Sequence, residues 1–248
     1  MVIILFFITI QFPMEVHGYG WIGKYSGLSK RYNIDATIDL YADLFKFGDL
    51  HFSIEYRHDL DMASGQEEGV TFDPKFLHYY IIPGLDLSLN TFIFTGRLIH
   101  DCVHFVDIEN PSAPVFNRIR LGIMSTEHHL RNFLKREPIL SWRIEYGFYP
   151  QWQFYKWMNW GTDYRHDFLL EVNQSLFQYR SISLRAGLFL DFNHRMWGGF
   201  YHNHRIRAQG CYRTPKGTFN IFYDYYLYVN DPLKAPNRLG ILCLGLQF

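Results

Sequence analysis

The chain has 248 residues, 24 Lys and Arg against 24 Asp and Glu, and a formal net charge of zero. That balance gives no electrostatic reason to expect nucleic acid or an acidic partner, and the length suits a single all-β barrel as well as two smaller domains. Three widely spaced cysteines, Cys102, Cys211 and Cys243, are an odd number and fit neither a disulfide framework nor a zinc motif.

The first residues, MVIILFFITIQFP, form an apolar stretch of about a dozen residues, the length of a signal-peptide core rather than of a membrane span. Val16-His17-Gly18 offers a small-residue cleavage site. Residues 1–18 therefore read as an export signal and 19–248 as a single domain. After that stretch no apolar run reaches the ~18 residues of a transmembrane helix.

The remaining chain alternates. Ile34, Ala36, Ile38, Leu40, Ala42 and Leu44 stand against Asp35, Thr37, Asp39 and Asp43. Past Phe47-Gly48, Leu50, Phe52, Ile54 and Tyr56 stand against His51, Ser53, Glu55 and Arg57. The pattern recurs through Phe72–Leu89, Phe92–His104, Asn117–Ile123, Trp142–Phe148, Arg165–Asn173, Ile182–Asn193, His202–Gln209, Phe219–Leu227 and Leu242–Phe248. Side chains of a strand point to opposite faces with period two. Repeated segments of roughly ten residues, with one apolar and one charged face, are the sequence signature of a transmembrane β-barrel.

Short connections at Lys46-Phe47-Gly48, near Asn90, at Gln178-Tyr179-Arg180 and at Pro215-Lys216-Gly217 alternate with longer ones. In outer-membrane barrels the short turns are periplasmic and the long loops extracellular. An even strand count then requires one more strand around Tyr19–Ser26, for about twelve in all. Thr126–Pro138 is long for a periplasmic turn and suits a short helix, with His128 and His129 in solvent. Tyr146, Phe148, Tyr149, Trp152, Tyr155, Trp157 and Trp160 suit an interfacial aromatic girdle. The inward faces would hold Glu55, Arg97, Arg118, Arg120, Arg143, Glu145, Arg165, Asp167, Glu171, Arg185, Asp191, Arg205, Arg207 and Asp224. Confined charges of both signs are expected to pair and plug the lumen.

One hairpin carries candidate chemistry. In Phe92–Met124, the apolar face of Phe92, Phe94 and Leu98 continues into His100, Cys102 and His104, and the face of Ile123, Leu121 and Ile119 continues into Asn117. A nucleophile, a base beside it and a third group that orients the base is the general logic of a triad. The His100-x-Cys102-x-His104 ladder is also a set of zinc-ligand types, although neighbours along one strand need a further ligand to converge on an ion.

The hairpin resembles the active-site hairpin of the outer-membrane phospholipase A family, which has a His-x-Ser pair on one strand and an aromatic-Asn-Arg stretch on the next; here these are His100-Asp101-Cys102 and Phe116-Asn117-Arg118. Val70–Phe76 is similar to a Tyr-Glu-Pro stretch of the same family, and the terminal Phe248 resembles the C-terminal signal of outer-membrane barrels. The resemblance implies a twelve-stranded barrel in the bacterial outer membrane, acting on membrane lipids through a triad on its lipid-facing wall. His100 would be the base, Cys102 would stand in the nucleophile position and Asn117 would orient His100. The resemblance also implies calcium and permits a homodimer; Asp107, Glu109 and Ser112 offer oxygens near the site. Three departures stand out. Cys102 replaces the family's Ser, Val103-His104 replaces an Asn-Gly, and Ala113-Pro114-Val115 replaces a Ser-Arg-Ser. The alternative is a non-catalytic structural or narrow transport barrel.

Overall fold

The computed structural model describes residues 11–12, 15–27, 29, 31–63, 73–106, 115–129, 139–150, 164–195, 198–231 and 234–248. They form twelve strands: β1 (Val16–Tyr25), β2 (Ile34–Phe47), β3 (Leu50–Ala63), β4 (Asp73–Ser88), β5 (Phe92–Phe105), β6 (Arg118–Ser125), β7 (Leu140–Phe148), β8 (Tyr164–Tyr179), β9 (Ile182–Arg195), β10 (Phe200–Thr214), β11 (Gly217–Val229) and β12 (Gly240–Gln247). Each strand pairs antiparallel with its neighbours in sequence, and β1 pairs with β12 to close the barrel. No helix among the described residues is long and apolar enough to cross a membrane.

The alternation has the physical consequence expected of it. Leu98, Leu121 and Leu244 point outward and are 56%, 58% and 61% exposed, a surface that only a lipid environment covers at no cost. The opposite faces carry the charges into the lumen. Arg120 donates to Asp167 (2.7 Å) and to Glu145 (3.2 Å), and Arg118 donates to Asp101 (2.9 Å) and lies 3.1 Å from Asp167. Arg143 donates to Glu171 (2.7 Å), Arg207 to Asp224 (2.7 Å), and Arg57 to Asp39 (3.0 Å). Most of these pairs bridge neighbouring strands, those of Asp167 reach across β7 to β6, and together they occupy much of the interior, leaving a cavity of ≈ 560 Å³. Lys234, in the β11–β12 connection, reaches Asp35. Burial alone would lower the pKa of this lysine, but the Asp35 carboxylate outweighs it and holds the group above its ordinary value.

Glycines on the inner faces make room for these side chains. A Cβ on Gly147 would fall 2.2 Å from a carboxylate oxygen of Asp167, the residue opposite it on β8. That carboxylate is held by two arginines and cannot swing away freely. Gly147→Ala is therefore expected to cost about 1–3 kcal/mol by overpacking, read from urea unfolding of the refolded barrel. A cost below a few tenths would mean that Asp167 is free to shift.

β1 starts at Val16, and Gly18 exchanges hydrogen bonds with Phe248 (2.8 and 2.9 Å). Three expectations are corrected here. Tyr149 is not in a girdle: it is 5% exposed and faces inward, its hydroxyl donating to Asp167 (3.3 Å). Arg165 sits at a register shift between Tyr164 and His166 and is exposed rather than luminal. His128 and His129 are not in solvent. The turn after β6 folds into the lumen, where His129 lies 3.1 Å from Asp86 and edge-on to Tyr41 (4.9 Å), and His128 lies 3.4 Å from Glu171. The signal-peptide core at residues 1–10, the rest of the expected helix, and Trp152, Tyr155, Trp157 and Trp160 lie outside the described residues.

Candidate functional site

The β5–β6 hairpin places the candidate residues by register alone. The ladder runs from Phe92↔Ser125 to Ile99↔Arg118, and a bridge Cys102↔Val115 continues it in the same register. Asn117 therefore stands directly across from His100. Both side chains share the outward face with Leu98 and Leu121, toward the end of the barrel opposite the short turns. The backbone there is tied by the Phe116 amide donating to the Asp101 carbonyl (2.7 Å).

Nδ1 of His100 lies 2.7 Å from Oδ1 of Asn117. A carbonyl oxygen only accepts, so with Asn117 in this orientation Nδ1 carries the proton and Nε2 keeps its lone pair. That is the tautomer a general base needs. Cys102 is half-buried between His100 and His104 on the same face. Its Sγ lies 3.2 Å from Nε2 of His104, and no hydrogen bond joins it to His100 among the described residues. The structure thus brings together His100 and Asn117, and pairs Cys102 with the imidazole on its other side.

His104 is itself positioned. Its ring meets Tyr79 of β4 edge-on (5.3 Å), and Tyr79 stacks on His58 of β3 (4.7 Å). These contacts had no motif to announce them; the only signal was that Tyr79, His58 and His104 occupy outward phases of neighbouring strands. Among the described residues no group of three or more His, Cys, Asp or Glu is arranged to hold a metal ion. Asp107, Glu109 and Ser112 lie outside the described residues.

No family model and no curated protein matches the chain. Solved structures do. The Salmonella typhi outer membrane phospholipase, a dimer with bound calcium, superposes with a TM-score of 0.56 at 10% identity, over 95% of this chain and 93% of that one. Escherichia coli outer membrane phospholipase A gives 0.53 at 10% identity over 94% and 89%. An active-site mutant of the Escherichia coli enzyme gives 0.52 at 11% identity over 98% and 92%. The chain has the fold of outer membrane phospholipase A. At this identity the likeness is one of architecture: like outer membrane phospholipase A, the chain is a closed, antiparallel barrel, here of twelve strands. The residues of the β5–β6 hairpin must speak for themselves about chemistry.

Proposed function

We propose that this chain is a bacterial outer-membrane acyl hydrolase of the phospholipase A type, working on membrane lipids from the outer wall of the barrel. The observation that carries the reading is the 2.7 Å contact between His100 Nδ1 and Asn117 Oδ1, beside Cys102 on the lipid-facing side. An oriented imidazole next to a nucleophile has little purpose on a surface whose neighbours are leucines. A lipid in the bilayer would lay its acyl chains along Leu98 and Leu121 and bring an ester carbonyl to the level of Cys102.

The chemistry is acyl transfer in two steps. The thiolate of Cys102 attacks the ester carbonyl carbon, the carbon–oxygen bond to the glycerol side breaks, and an acyl thioester forms on Cys102 while the alcohol leaves with a proton from an imidazole. Water then gives a proton to an imidazole, attacks the thioester, and releases the fatty acid and the thiol. His100, kept in one tautomer by Asn117, supplies a base for this cycle.

Calcium would enter only by analogy with the Salmonella typhi protein, as would a homodimer. Among the described residues Asn117 Oδ1 is engaged by His100, and Asp107, Glu109 and Ser112, which offer oxygens, lie outside them. The alternative of a narrow transport barrel draws no support from a lumen crossed by ion pairs and entered by His128 and His129.

The test is phospholipid hydrolysis by the refolded protein in detergent micelles, with calcium and with a chelator, beside Cys102→Ala and Cys102→Ser. Hydrolysis by the parent is expected to fall on the order of 10³-fold or more in Cys102→Ala. A silent parent with an active Cys102→Ser would mean a site built for a hydroxyl nucleophile. Silence in all three would sink the enzyme reading.

A further inference from the structure

Cys102 has an imidazole two residues away on either side, and the structure distinguishes them. His104 Nε2 is 3.2 Å from the sulfur, within the reach required of a group that takes a proton. His100 is turned toward Asn117 instead. Each ring is also held by a different partner: His100 by a hydrogen bond from β5 to Asn117, and His104 by the edge of Tyr79, itself stacked on His58. Two imidazoles fixed independently around one thiol can divide the proton transfers between them.

We infer that His104, rather than His100, is the base that takes the thiol proton of Cys102. Its catalytic meaning rests on the acyl-hydrolase reading; its geometry does not. The S–H bond breaks as an N–H bond forms on Nε2 of His104. The sulfur electron pair then forms the bond to the ester carbonyl carbon, the ester C–O bond breaks, and the departing oxygen takes the proton back from His104. His100, with Nδ1 bound to Asn117 and Nε2 open, remains for the water that cleaves the thioester: it accepts the water proton as the C–O bond to the acyl carbon forms, and the proton returns to the sulfur as the C–S bond breaks.

The test uses thiol alkylation, which needs no turnover. Cys211 and Cys243 are buried, so iodoacetamide applied to the folded barrel reports on Cys102, with Cys102→Ser as the blank. Rates are measured from acid to alkaline pH for the parent, His104→Gln and His100→Gln, each verified as folded by its heat-modifiable migration. His104 is exposed, so its replacement is compatible with folding. In the parent, alkylation is expected to persist to a pH about one unit or more below that of His104→Gln, while His100→Gln follows the parent. An unchanged profile in His104→Gln, or a shift in His100→Gln alone, overturns the inference. Hydrolysis measured on the same samples separates the two readings. The expected alkylation shift in a protein that hydrolyses nothing supports the Cys102–His104 pairing and removes the hydrolase. Hydrolysis without the shift keeps the hydrolase and removes His104 as the base.

Discussion

Asp167→Ala is expected to lower the unfolding free energy of the barrel by about 3–5 kcal/mol, the cost of breaking a buried ion pair by deleting one partner. Asp167 is 1% exposed and accepts from Arg120 through two nitrogens (3.2 and 2.7 Å) and from the Tyr149 hydroxyl (3.3 Å), with Arg118 at 3.1 Å. Removing it leaves two guanidiniums facing each other in a confined interior. Glu145 and Asp101 compensate only in part, because each already serves one of them. Urea titration of the refolded protein in lipid vesicles, followed by tryptophan fluorescence, measures the effect. A change under 1 kcal/mol would mean that water in the lumen screens these charges and that the network is not what stiffens the wall.

The second large effect is expected from Asp86→Ala, and it concerns permeation as well as stability. Asp86 is fully buried and joins three groups: Arg97 (2.5 Å), the Tyr41 hydroxyl (3.0 Å) and His129 (3.1 Å). The last contact draws the β6–β7 turn into the barrel. Without the carboxylate, Arg97 loses its anion, at a cost of similar size to that above, and His129 loses its anchor. In planar bilayers the parent is expected to give no steady conductance and Asp86→Ala to give measurable openings. A parent that conducts as a stable open pore would restore the transport alternative.

Much of this architecture could be read from the order of residues, because a half-buried strand writes its geometry with period two. The apolar sequence Phe94, Leu98, Leu121 and Ile123 identifies a lipid-facing wall, and the same phase puts Asn117 across from His100 without reference to any relative. What periodicity cannot see is where a side chain turns once its face is known. His100 and His104 are equivalent by phase to Cys102, and only rotamer and neighbours choose between them. Tyr149 has the composition of a girdle residue but stands one position beyond the end of β7, where an inward phase takes it to Asp167. Arg165 follows the alternation on paper, and a register shift between Tyr164 and His166 breaks it. His128 and His129 lie in a connection without periodicity, and their burial depends on carboxylates more than forty residues away in sequence.

The pairing of β1 with β12 has a consequence for biogenesis. Val16–Tyr25 finds one of its two partners only in Gly240–Gln247, at the far end of the chain. Until that last segment has been synthesised and delivered, the first strand keeps a row of unsatisfied amides and carbonyls along one side, beside an outer surface rich in leucine. Such an edge is a template for pairing with other chains, and contacts between remote segments form slowly. Before that pairing forms, the open edge and the leucine-rich face are exposed together, and the chain is prone to associate with its own copies. The seam beside Gly18 and Phe248 is where the open sheet finally becomes a tube, and a lesion there would be felt as failed assembly rather than as a weakened finished protein.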